Sequence, residues 1–350
     1  MGVVAFRADA SLDIGTGHIM RCLTLANALH ANGERCLFIC RQHPGNLIEL
    51  ITDAGFETLI LPVAAAGKSH KDWLRVNWRA DVELSGNALQ GLVVDWLVVD
   101  HYALDANWES AMRPRCKQLM VIDDLADRLH DCDLLLDQNL GHTVEDYAGL
   151  VPKACCLLVG TEYTMLRPEF SQMREYSLKR RANPSLDHIL ITMGGVDQNN
   201  ATGQVLEALE ASVLPENSRV TVIMGPHAPW LKEIKRIVVA MPWEVDVKVG
   251  VNNMAKLMAD SDLAIGAAGS TAWERCCLGL PSLILVLAEN QKVIAEALHD
   301  RTAAIKMCDI SKLSTSIPTG ADLAQIGQRA SILVDGQGVK RVRAAMECIG

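Results

Sequence analysis

No apolar run in this chain of 350 residues reaches the length of a membrane span, and the N-terminus lacks a basic stretch followed by an apolar one. Both absences point to a cytoplasmic protein with no membrane partner. Excess positive charge is missing as well: the net charge of −9 argues against nucleic acid as a partner. The chain has no C-x-x-C and no His-x-x-x-His pair, the spacings that metal sites favour. Its eleven cysteines are odd in number and irregularly spaced, and the adjacent pairs Cys155-Cys156 and Cys276-Cys277 are poorly shaped for one tetrahedral metal. Most of them read as small buried hydrophobes in a reducing compartment. Neither a Gly-Lys-[Ser/Thr] P-loop nor a G-x-G-x-x-G fingerprint occurs in the glycine-rich loops described below.

What is present is the composition of a globular protein, 49% hydrophobic and 21% charged, in a chain long enough for two domains. Short apolar runs at 3–6, 36–40, 58–61, 92–99, 119–122, 134–136 and 157–159 alternate with helix-like segments. Several are apolar throughout, as strands buried on both faces are, so the expectation is a doubly wound parallel sheet. The stretch 64–91, more polar and carrying Trp73 and Trp78, reads as helix plus loop. The alternation breaks at a charged, proline-containing stretch, then resumes with strands at 188–193, 220–224, 245–249, 263–265, 282–287 and 303–306. The expected organisation is a domain over 1–166, a linker over 167–186, a second domain over 187–335 and a closing helix over 336–350. Two such α/β halves imply an interdomain cleft, with ligands at the carboxyl ends of strands.

The first of those strand ends organises the reading. Strand 3–6 leads into the polar loop of Arg7 to Gly17, and from His18 onward Ile19, Cys22, Leu23, Ala26 and Leu29 recur at helical spacing up to Gly33. Glycines admit close approach of a ligand, and the free N–H groups of a helix start attract phosphate. The positive end of a helix also suits an uncharged imidazole, and a neutral His18 beside a phosphate ester is a candidate general base. The plainer alternative is a turn at Gly15-Thr16-Gly17 with His18 as a polar cap.

Two further strand-to-helix loops lie in the second half. One is Gly194-Gly195-Val196-Asp197-Gln198-Asn199-Asn200; the other is Gly266-Ala267-Ala268-Gly269-Ser270-Thr271-Ala272-Trp273-Glu274. Ser270 and Thr271 offer hydroxyls, and Glu274 is placed to accept hydrogen bonds from a ribose. Each loop alone is also explained by helix capping. Together, three in a two-domain α/β chain favour a nucleotide diphosphate held by helix ends. Asp100-His101-Tyr102 and Glu289-Asn290-Gln291 also follow apolar strands. Asp123-Asp124 reads as loop capping rather than metal binding, because adjacent strand residues face opposite ways. His30, His43, His70, His130, His142, His188, His227 and His299 belong to no motif.

These motifs, taken in order, resemble one family over nearly the whole chain. They are Arg7-Ala8-Asp9-Ala10-Ser11, Ile14 to Leu23 around Gly15-Thr16-Gly17-His18, Asp100-His101-Tyr102, Ile122 to Ala126, Gly194-Gly195-Val196-Asp197, and Ala267 to Arg275. The family is that of the UDP-2,4-diacetamido-2,4,6-trideoxy-β-L-altropyranose hydrolases of pseudaminic acid biosynthesis, relatives of the GT-B glycosyltransferases. Gln198 departs from it, since a proline more often follows Gly-Gly-x-Asp there, which affects loop stiffness but no reactive group. The resemblance implies a GT-B-like pair of Rossmann-type domains with UDP held mainly by the second. It implies that water displaces UDP at the anomeric carbon with C–O cleavage and inversion, with no metal or other cofactor, and that His18 is the base. Tyr102 and Asn290 become sugar-side contacts, while Gly194, Gly195, Ser270, Thr271 and Glu274 become UDP-side contacts. Arg7, Gly17, Arg21 and Gln291 complete the expected substrate shell, and Asp13 either orients His18 or binds the sugar. The partners are then the UDP-linked sugar, water and product UDP. A GT-B transferase using a UDP-amino sugar and a non-catalytic nucleotide-sugar binder are the competing functions.

Overall fold

The computed structural model describes residues 2–63, 73–212, 214–215, 217–226 and 228–350. His70, His227 and the part 64–72 of the expected helix-plus-loop stretch lie outside the described residues. The chain divides into two units, Met1–Met165 with Gly338–Gly350, and Leu166–Gln337.

In the first unit the strands are β1 (Val3–Ala8), β2 (Arg35–Arg41), β3 (Glu57–Leu61), β4 (Val94–Asp100), β5 (Cys116–Ile122), β6 (Leu134–Asp137) and β7 (Cys156–Val159). They form one sheet in the order β3-β2-β1-β4-β5-β6-β7, parallel throughout. Helices α1 (Gly17–His30), α2 (Ile48–Asp53), α3 (Trp78–Ala88) and α4 (Ala106–Met112) connect the early strands. Alternation along β1 explains the layering: Val4, Phe6 and Ala8 face a core that includes Ile19, Cys22, Leu23 and Ala26 of α1, while Ala5 faces a second core with Leu97 and Trp108. The strand order reverses between β1 and β4, where Ala8 pairs with Asp100. Loops leaving those two strands diverge, so that switch point is where an open parallel sheet offers a binding crevice.

In the second unit α5 (Pro168–Arg180) precedes β8 (His188–Thr192), and α6 (Ala201–Glu210), β9 (Arg219–Met224), α7 (Leu231–Ile237), β10 (Glu244–Val249), α8 (Met254–Asp260) and β11 (Leu263–Ala267) follow. Then come α9 (Thr271–Cys277), β12 (Ser282–Leu285), α10 (Lys292–Asp300), β13 (Ile305–Met307), α11 (Leu313–Ser316) and α12 (Gly320–Leu333). The parallel sheet runs β10-β9-β8-β11-β12-β13 and reverses between β8 and β11, where Thr192 pairs with Gly266. The loops leaving β8 and β11 are the two glycine-rich loops of the second half.

One segment differs from the sequence reading. The stretch 167–186 contains the helix α5, which buries Phe170 and Ser177 and packs on α8 and α9. Pro168 at its first position starts it, since a missing N–H costs nothing there. The closing helix α13 (Gly338–Ile349) returns to the first unit, where Val342 and Met346 join the core beside α1. Each buried side chain of that kind contributes about 1.5–3 kcal/mol. All eleven cysteines are free thiols, six of them buried. Among the described residues no helix is long and apolar enough to cross a membrane.

Candidate active site

Helix α1 buries its apolar stripe, which leaves His18, Arg21 and Cys22 on one face at spacings of three and four residues. That face meets the carboxyl ends of β4 and β5. His18 Nδ1 lies 2.6 Å from Asp100 Oδ1, and Arg21 grips the same carboxylate with two hydrogen bonds, Nε to Oδ2 at 2.6 Å and Nη2 to Oδ1 at 2.7 Å. The Cys22 thiol donates to Oδ2 at 3.6 Å. Burial opposes the charge on Asp100, but the Arg21 guanidinium and the His18 ring outweigh it and hold the carboxyl well below the usual range. An ionised Asp100 can only accept, so Nδ1 of His18 carries its proton, and the lone pair of a neutral ring sits on Nε2.

Asp124 forms the other side of the Arg21 cage. Its Oδ1 accepts from Arg21 Nη1 at 2.9 Å and from the Asn139 amide, and its Oδ2 accepts from the Tyr102 hydroxyl at 2.7 Å. Burial works against that charge too, and Arg21 overcomes it, lowering the Asp124 carboxyl. The Tyr102 ring stands edge-on to His18 at 4.7 Å between centroids, and Trp73 stacks on Tyr102 at 5.4 Å. The histidine is thus fixed in tautomer by a carboxylate and in rotation by aromatic rings, with its side chain 8% exposed.

The loop before α1 is pinned by Ser11, whose Oγ accepts from the N–H groups of Asp13 and Ile14 at 3.1 and 3.0 Å. Gly15 closes it with φ +81°. Gly17 opens α1, and no side chain caps that helix start.

Two expected site residues are placed otherwise. Arg7 is fully buried on the opposite face of β1 from α1, bonded to both oxygens of Asp81 at 3.2 and 2.9 Å and paired with Asp9 at 2.7 Å. Arg41 and the Trp108 indole donate to the same Asp81, at 2.6 and 3.0 Å. Arg7 is part of a sealed ionic knot and not open to substrate: strand alternation turns it away from the loop that its neighbours form. Asp13 is about half exposed and pairs with Arg75 at 2.7 Å, so the carboxylate that orients His18 is Asp100. Of the two adjacent aspartates, Asp123 caps its loop by accepting from the N–H groups of Leu125 and Ala126, whereas Asp124 belongs to the site. The members of this cluster that the sequence reading does not single out are Asp100 as the group bonded to His18, Asp124 and Asn139. Asp100 stood in the Asp100-His101-Tyr102 motif; Asn139 lay just past β6 in a polar Asp137-Gln138-Asn139 run.

In the second unit the loops after β8 and β9 touch backbone to backbone: a Cβ on Gly225 would lie 1.8 Å from the Gly195 carbonyl oxygen. Gly194 holds φ +91°. Asp197 caps α6, its two oxygens accepting from the N–H groups of Ala201 and Thr202 at 2.8 and 2.9 Å. Those two amides are therefore already satisfied by Asp197. The Trp230 indole donates to the Gln198 carbonyl at 3.0 Å, stiffening the loop at the position where the resembled family more often has proline. Beside it, Ser270 is exposed and Thr271 half-buried at the start of α9. Gln291 accepts from the Leu287 N–H at 2.9 Å, and its amide nitrogen would stand 3.7 Å from a Cβ on Gly269, so the loops after β11 and β12 adjoin. Asn290 is exposed on the same short turn. Burial pushes Glu274 up to about 7 against the pull of Arg167, whose Nη2 lies 3.5 Å from Oε1. Among the described residues no group of three or more His, Cys, Asp or Glu side chains is arranged to hold a metal ion.

Two doubly wound parallel sheets with their polar loops at the switch points define a protein of the GT-B fold. Over 99% of its length the chain is similar to the crystal structure of MurG from Acinetobacter baumannii, with a TM-score of 0.71 at 15% identity and all of that chain covered. Among curated proteins, it is 25% identical over 293 residues, 83% of this chain, to an uncharacterized protein of Methanocaldococcus jannaschii, of whose length it spans 56%. It is 26% identical over 292 residues to the UDP-2,4-diacetamido-2,4,6-trideoxy-β-L-altropyranose hydrolase of Campylobacter jejuni, covering 83% of this chain and 94% of that one. It is 29% identical over 201 residues to the spore coat polysaccharide biosynthesis protein SpsG of Bacillus subtilis, covering 54% of this chain and 57% of that one. No family model matches the chain.

Proposed function

We propose that the protein hydrolyses a UDP-linked 2,4-diacetamido-2,4,6-trideoxy sugar to free sugar and UDP. The observation that carries this reading is the 2.6 Å bond between His18 Nδ1 and a buried, ionised Asp100, which leaves Nε2 as the proton acceptor. Nε2 takes a proton from water as the water oxygen attacks the anomeric carbon, and the bond from that carbon to the diphosphate oxygen breaks with inversion. Inversion needs the base on the face opposite the leaving group. Asp100 holds the ring and offsets the imidazolium that forms; Arg21 and Asp124 hold Asp100. Tyr102 and Asn290 contact the sugar. The diphosphate meets the backbone of Gly194 and Gly195 and the hydroxyls of Ser270 and Thr271, and Glu274 accepts from the ribose hydroxyls. Such preorganised donors stabilise the departing charge without an ion. Support from relatives is the Campylobacter hydrolase, similar over most of both chains.

A transferase is the second reading, favoured by the solved glycosyltransferases that share the fold. Incubation with the UDP-sugar and no acceptor separates the two. Hydrolysis predicts UDP and free sugar in equal amounts over many turnovers. An intact UDP-sugar, consumed only when a sugar or lipid acceptor is added, would make the protein a transferase.

A further inference from the structure

Arg275 is a charge without an anion. The residue is 1% exposed, yet its guanidinium bonds only to neutral oxygens: Nη2 donates to the Ala267 carbonyl at 2.7 Å and Nη1 to Thr271 Oγ1 at 3.5 Å. Nε is buried and has no hydrogen-bond partner. The neighbouring Glu274 is turned to Arg167 instead. Arginines this deep are ordinarily paired with a carboxylate, because an isolated buried charge is expensive. The seat is nevertheless built for it. A Cβ on Gly266 would stand 2.6 Å from Arg275 Nη1 and 2.6 Å from the Thr192 carbonyl oxygen, so only glycine leaves room. Thr192 and Gly266 are partners at the ends of β8 and β11, and the guanidinium therefore lies at the strand reversal of this sheet, behind the loops that start at Met193 and Ala268.

We propose that Arg275 is a positioning residue for the diphosphate of the nucleotide, acting through Thr271 and as the fixed positive charge behind both loops. The proposal rests on the reading of this unit as the UDP grip. A hydroxyl that accepts from a guanidinium keeps its own proton free to donate to a phosphate oxygen. The donated charge strengthens that bond. Burial pulls the Arg275 guanidinium down to about 10, the direction expected of a cation still lacking its counter-ion. A bound diphosphate supplies the missing anion.

The test compares UDP with uridine, which lacks the phosphates, on purified full-length protein. Affinities are read by calorimetry for UDP and by ligand-observed NMR for uridine. Arg275→Met is expected to weaken UDP by about tenfold or more, one lost charge-assisted contact, and to leave uridine within about threefold. Arg275→Lys, which keeps the charge, recovers part of the loss. In a Thr271→Val background, Arg275→Met costs less than it does alone, because the relay is already gone. Without ligand, Arg275→Met melts at or above the wild-type temperature, since it relieves an unpaired buried charge. Equal losses for UDP and uridine would overturn the proposal, as would a lowered melting temperature with no recovery in Arg275→Lys. A wild type that binds no UDP would overturn the functional reading beneath it, and so separates the two failures.

Discussion

Asp100 takes one hydrogen bond from His18 and two from Arg21 while fully buried, so its carboxylate decides which ring nitrogen of His18 is basic. Asp100→Asn keeps the shape but ends that control, because an amide can present its NH2 group to Nδ1 and shift the ring proton to Nε2. The expected result is a fall in kcat of about 10²–10⁴, with KM for the UDP-sugar changed by less than about threefold. Steady-state kinetics at several pH values check it; an unchanged kcat would remove Asp100 from the mechanism. Arg7 has the opposite character. It joins Asp9 and Asp81 inside the first unit, and burial, which alone would weaken its charge, is outweighed by those two carboxylates. Removing one partner strands the others, so Arg7→Ala is expected to cost about 3–5 kcal/mol of stability. Denaturant unfolding reads that loss. A variant of normal stability with a raised KM would return Arg7 to the substrate shell.

At the scale of elements, α1 and the loop before α9 carry the two halves of the proposed chemistry. Glu274, on the first turn of α9, is part-buried, and burial pushes its carboxyl up to about 7. Its carboxyl gains a proton as pH falls through that value and then no longer accepts both ribose hydroxyls. UDP binding should therefore weaken on going from pH 8 to pH 6 by several-fold, about tenfold at most for one such contact. Glu274→Gln should bind weakly throughout and show a flatter profile; an equal pH response in both would discount Glu274. The helix α1 was legible because its apolar period and Gly33 are local signals. Several of the strands, such as β6 and β8, were legible as apolar runs, as parallel strands buried on both faces are, whereas β10 alternates polar and apolar residues. The helix α5 was not, because its charged, half-exposed surface has little periodicity and only Pro168 marked its start. The partner of His18 was not legible either, since the bond joins residues 82 apart in sequence and no local spacing carries it. Gly225 was silent for the same reason, its need for glycine being set by a carbonyl on another loop.

For the whole molecule, the chain carries two units, each built on a doubly wound parallel sheet, in the GT-B fold. In each, the polar residues gather where the strand order reverses, at β1 and β4 in one and at β8 and β11 in the other. In the proposed reaction the first unit supplies the base, His18, held by buried ion pairs, and the second offers backbone, hydroxyl and guanidinium donors to the diphosphate. Cations and dipoles of the chain itself balance the leaving group in that proposed reaction, with no divalent ion required. The most direct measurement is UDP release from the UDP-sugar by His18→Ala and by the wild type, both in EDTA, alongside the Kd of each for UDP. The wild type is expected to turn over in EDTA, the variant to be slowed by about 10²–10⁴, and the two UDP affinities to lie within about twofold of each other. Near-normal turnover by His18→Ala, or a wild type that works only after a divalent cation is restored, would contradict the proposed reaction.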